Sequence, residues 1–119
     1  MSSETYTFLA TEWDVAKALE MVEAGEILAK GPLDMDGPRK LLSMHRVNEK
    51  YAKRLTEEDL ERPVIIAQQL TTLQNGEATP FSMLIDGWHR VWKARELGMD
   101  SLPAVMVDGE KIILQGLGR

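Results

Sequence analysis

A small α+β fold, a single domain over residues 1–119 built on a mixed sheet, is what three stretches of the chain predict. Val64-Ile65-Ile66-Ala67 is a strongly apolar run that continues into Gln68–Thr72. Asn75-Gly76 then signals a hairpin, with a return strand from Phe81 to Ile85. Met83-Leu84-Ile85 stops at Asp86-Gly87, after which Trp88, Val91 and Trp92 recur at helical spacing, Leu97 continues the apolar side and Gly98 ends the helix. Pro103–Val107 reads as the next strand. Strand, helix and strand at this spacing suggest a right-handed crossover between two parallel neighbours.

The remaining elements follow in order. Thr5–Leu9 is rich in β-formers and predicts a first strand. Thr11-Glu12-Trp13-Asp14 resembles a capping box with Asp in place of Glu, opening a helix whose face is Val15, Ala18, Leu19 and Val22 and whose end is near Gly25. Glu12, Glu20, Glu23 and Glu26 make its other side acidic, as a solvated face would be. Ile27-Leu28-Ala29 is too short to assign. Gly31–Pro38 is a breaker-rich loop, in which Asp34 and Asp36 suit turns better than a calcium loop. Met44, Val47, Tyr51 and Leu55 mark a helix starting near Ser43 or Asn48, with Lys50, Lys53 and Arg54 outward. Thr56-Glu57-Glu58-Asp59 caps a further short turn, which must stop before Pro63. Pro80 is expected to interrupt the hairpin pairing where it begins. Asp108-Gly109 turns the chain into a last strand, Lys111–Leu114, and Gln115–Arg119 is expected to fray.

The helix after Gly87 begins with His89, Arg90 and, one turn on, Lys93. Unpaired backbone N–H groups at a helix start favour an anion, and these side chains strengthen that preference. The strand, turn and helix therefore predict an anion site, for phosphate above all.

Ile85-Asp86-Gly87-Trp88-His89-Arg90, followed by Ala94, Leu97-Gly98 and Leu102-Pro103-Ala104-Val105, resembles the signature of the ParB/sulfiredoxin-like superfamily. The resemblance covers roughly the last third of the chain and, more weakly, Val47 to Ala67. It implies a small domain that binds a nucleotide with its phosphates at the helix start. Among the superfamily's forms, Asp86–Arg90 is nearest to the Asp-Gly-His-His-Arg of free serine kinases, departing from it at Trp88. Sulfiredoxins place a cysteine where Trp88 stands, and this chain has no cysteine, so thiol chemistry is discarded. The superfamily also draws on the segment before the strand at Val64, which makes Arg46 and Glu49 candidate contributors beside His45.

The apolar fraction of 44% and charged fraction of 28% are ordinary for a globular domain. A formal net charge of −5 argues against broad nonspecific DNA binding. No direct sequence-specific DNA binding is expected either, since the partition proteins' helix-turn-helix has no counterpart here. No apolar run predicts a membrane span and the first residues lack signal-peptide character, so the expected location is cytoplasmic.

Candidate roles divide as follows. Arg90 grips phosphate through its planar guanidinium, the alternative being a salt bridge with Glu96. Asp86 is either the cap of the helix or a general base or Mg²⁺ ligand. His89 holds phosphate, transfers a proton or is structural. Gly87 supplies close approach or positive φ, Lys93 adds charge, and Trp88 is the better of two tryptophans for stacking on a base. Glu49 is the alternative base. The expected ligand is ATP, ADP or CTP with Mg²⁺, or another small phosphorylated molecule. The function is then a phosphotransferase or nucleoside triphosphatase, or, alternatively, a non-catalytic nucleotide-sensing or protein-interaction module. A homodimer is compatible with either.

Overall fold

The computed structural model describes residues 4–8 and 11–115. In chain order these form β1 (Thr5–Phe8), β2 (Thr11–Asp14), α1 (Val15–Glu23), β3 (Ala29–Asp34), α2 (Asp36–Leu41), a 3₁₀ turn (Leu42–Met44), α3 (Glu49–Lys53) and α4 (Glu57–Leu60). They continue with β4 (Val64–Thr72), β5 (Ala78–Asp86), α5 (Trp88–Glu96), β6 (Ser101–Asp108), a second 3₁₀ turn (Gly109–Lys111) and β7 (Ile113–Gln115). The mixture of helices and a mixed sheet is that of the α+β class.

The larger sheet has the order β3-β6-β4-β5. β4 and β5 form the expected hairpin around Asn75-Gly76, with Gly76 at φ 87°. Pro80 does not interrupt it: Leu70 pairs with Pro80 in register, and the irregularity falls between Ile65 and Ile66 instead. β5 is the edge strand, and proline is tolerated where its missing N–H faces away from the partner. The crossover expectation is corrected. β6 lies parallel to β4, which separates it from β5, and β4 and β5 are antiparallel. The parallel pair thus joins the strand before the hairpin to the one after α5.

Two further expectations change. Thr11–Asp14 is a strand, with Trp13 fully buried, and pairs with both β1 and β7 in a second, three-stranded sheet. Asp14 alone is the cap of α1, accepting from the Lys17 backbone N–H at 3.0 Å. Gly31–Asp34 is not loop but most of β3, whose Pro32 lies opposite Pro103 of β6. The expected strand residue Leu9 and the tail beyond Gln115 fall outside the described residues; Gln115 itself belongs to β7.

The core lies between the larger sheet and the helices. Val64, Ile65, Leu102 and Val107 from the sheet and Val91 from α5 are essentially inaccessible, and Trp92 is 8% exposed, a core residue as its spacing predicts. α3 starts at its cap Asn48 and α4 carries a full Thr56/Asp59 capping box, both as the sequence indicates. On α3, however, Ala52 is the buried residue and Tyr51 is exposed. Gly98, at φ 70°, ends α5.

Candidate functional site

β5 delivers Asp86 to the sheet end and Gly87 turns the chain into α5. Gly87 has φ 118°, a conformation L side chains rarely adopt, and it is the N-cap of the helix. A Cβ there would lie 2.4 Å from Val64 Cγ1, so the glycine is required by the close passage of β4 as well as by the turn. Asp86 is therefore not the cap, and no side chain caps α5. Val91 is the first helical N–H to find a backbone acceptor, the Gly87 carbonyl at 2.9 Å. The N–H groups of Trp88, His89 and Arg90 have no acceptor among the described residues, as the geometry of a helix start dictates.

His89 and Arg90, but not Trp88, line a pocket of about 250 Å³ together with Glu4, Leu19, Tyr51, Leu55, Arg62, Asp86 and Gly87. The structure thus brings Asp86, Gly87, His89 and Arg90 together, as expected. Arg46 and Glu49 are not among the lining residues. Glu49 opens α3, where a carboxylate complements the helix dipole. Lys93 points elsewhere too: its Nζ donates to the Lys53 carbonyl at 3.0 Å, tying α5 to the end of α3.

Arg90 is 8% exposed and largely committed to the protein. Its Nη1 donates to the carbonyls of Arg62 and Pro63 at 2.6 and 2.8 Å, and its Nη2 to Asp86 Oδ2 at 3.0 Å. Its partner is thus Asp86, not Glu96, which pairs with Arg95. Burial lowers the Arg90 pKa and the Asp86 carboxylate opposes that shift, but a guanidinium remains charged at any ordinary pH. One Nη2–H and Nε–H have no partner among the described residues.

His89 Nε2 accepts the Asn48 backbone N–H at 3.1 Å. Neutral His89 therefore carries its proton on Nδ1, where it can donate to an anion. The ring also meets Tyr51 edge-on, with centroids 5.1 Å apart. Asp86 Oδ1 has no partner among the described residues, so one carboxylate oxygen is left for a hard cation, which takes oxygen ligands. No three metal-ligating side chains converge among the described residues.

Trp88 is not free to stack on a base. It is 7% exposed, its Nε1 donates to the Leu84 carbonyl at 3.0 Å, and His45 covers its face at 3.6 Å between centroids. His45 in turn donates from Nδ1 to the Leu41 carbonyl, which leaves Nε2 to accept from the Tyr6 hydroxyl. Burial pushes the Tyr6 phenol up to about 12, with Trp88 opposing in part. The second His-Arg pair thus matters through His45, which locks Trp88, rather than through Arg46.

Arg62 and Tyr51 were not evident as site residues. Arg62 is a lone cation just ahead of Pro63 and the apolar β4, a weak signal. Tyr51 sat at a position whose spacing pointed to the core. No family model, no curated protein and no solved structure matches the chain.

Proposed function

We propose that the protein binds a nucleotide, such as ATP, ADP or CTP, with its phosphates at the start of α5, as the ParB/sulfiredoxin-like resemblance of Ile85–Arg90 implies. One observation carries this reading: His89 and Arg90, whose backbone N–H groups open α5 without an acceptor among the described residues, line a pocket together with Arg62. A helix start with convergent donors and a cation is suited to a phosphate group. The His89 Nδ1–H and the two uncommitted Arg90 N–H groups add three directional donors.

Binding without turnover is the form the geometry favours. The carboxylate best placed to act as a base, Asp86, already has one oxygen held by Arg90. The enzyme reading keeps one supporting feature: Asp86 lines the same pocket and has a second oxygen without a partner among the described residues. Thermal stabilisation by ATP, ADP and CTP, with and without Mg²⁺, tests binding, and phosphate release tests turnover. Stabilisation without release identifies a sensing module, and stabilisation with release an enzyme. No stabilisation by any of them removes the nucleotide reading.

A further inference from the structure

Tyr51 is the exposed aromatic residue of the candidate pocket. It is 52% exposed and lines the pocket with Leu19 and Leu55. The tryptophans are 8% exposed or less, and Phe81 lines a different pocket. One edge contact with His89 braces the Tyr51 ring, and no other aromatic ring contacts it among the described residues. Lys50, Lys53 and Arg54 flank it on the same short stretch of a chain whose net charge is −5. The pocket itself holds Arg62, His89 and Arg90 against the carboxylates of Glu4 and Asp86, and a flat, exposed ring beside phosphate donors is what a nucleotide needs besides its phosphate site. Bases stack on aromatic rings with little regard to sequence, and cations gather the negative charge.

We infer that Tyr51 is the stacking platform for the base of the bound nucleotide, which makes it a specificity residue separating nucleotides from simple phosphates. This rests on the nucleotide reading above. The His89 contact links the two halves of the ligand: the imidazole that offers Nδ1–H to phosphate also holds the Tyr51 ring in place. The burial pattern explains why this role falls to Tyr51. α3 turns Ala52 inward, and the ring one residue earlier is left at the pocket.

The test compares ATP, sodium tripolyphosphate and adenosine by calorimetry on the wild-type chain and on the Tyr51→Ala and Tyr51→Phe variants. ATP is expected to bind about tenfold or more tightly than tripolyphosphate, on the scale of one base stacked on one ring. Tyr51→Ala should remove that difference while leaving tripolyphosphate affinity and melting temperature unchanged, and Tyr51→Phe should retain it. Equal wild-type affinities for ATP and tripolyphosphate overturn the stacking role. An equal loss for both ligands in Tyr51→Ala also overturns it, since Tyr51 would then act only by positioning His89. If adenosine binds in a Tyr51-dependent way while tripolyphosphate does not bind, the platform stands and the phosphate site fails. If none of the three binds, both are overturned.

Discussion

Arg90 reaches back one helical turn to Asp86, with Nη2 and Oδ2 3.0 Å apart, while its Nη1 holds the carbonyls of Arg62 and Pro63. One side chain thus fastens the start of α5 to the end of β5 and to the chain entering β4. The residue that looks most like a phosphate grip is also a structural tie, and the two roles separate experimentally.

Arg90→Ala should destabilise the fold by about 3 kcal/mol in urea titration. That is the low end for breaking a buried pair, because Asp86 keeps some contact with water. Arg90→Lys should recover only part of the loss, since a single ammonium cannot reproduce the forked contact with two carbonyls and a carboxylate. A change below about 0.5 kcal/mol in Arg90→Ala, as for an ordinary surface site, would show that the tie contributes little.

Asp86→Asn should cost stability, by about 1–2 kcal/mol, because it removes the charge of the Arg90 partner and not a cap. The same change takes a negative group away from the pocket, so tripolyphosphate should bind more tightly. Melting and calorimetry on this one variant read both effects. Unchanged stability would return Asp86 to a role outside the fold. Unchanged or weaker anion binding would place the phosphates away from it.

Gly87→Ala should destabilise by about 3 kcal/mol or more. Its methyl would meet Val64 Cγ1 at 2.4 Å, and the residue would be held at φ 118°. Val64→Ala in the same background should cost less than it does alone, because it clears the clash; a double-mutant cycle measures that coupling. Additive losses would mean that backbone strain alone is at work.

Tyr6 gives a pH signature. Its phenol ionises near 10 in the unfolded chain and near 12 in the folded one, because burial disfavours the phenolate. Between those values the native state binds more protons than the unfolded state. The stabilisation is therefore complete below pH 10 and is lost as pH rises towards 12. Tyr6→Phe should remove this component, so the difference between wild type and variant narrows across that window. A spectrophotometric titration of wild type against Tyr6→Phe should show the Tyr6 phenol ionising late. A wild-type-minus-variant difference that ionises near 10 would refute the shift.

What the sequence by itself determined lies where the information is local. The Asn75-Gly76 hairpin, the Asn48 and Thr56 caps, the halt at Pro63, the helix from Trp88 to Glu96 and its end at Gly98 all depend on residues within a few positions of one another. The candidate site was legible to the same extent, since Asp86, Gly87, His89 and Arg90 are consecutive or one helical turn apart. Tertiary structure decided what depends on distant partners. β3 forms despite Gly31 and Pro32 because β6, some 70 residues later, supplies the pairing that local propensity does not. β6 takes β4 rather than β5 as its neighbour because β5 folds back as the outer edge of the hairpin. Arg90 turns inward because the carbonyls of Arg62 and Pro63 need donors at that sheet end, and His45 covers Trp88 because the 3₁₀ turn brings it there. Tyr51 is left facing the pocket because Ala52 fills the core position. A periodic pattern states which residues are apolar, and only the packed neighbours settle which of them are covered.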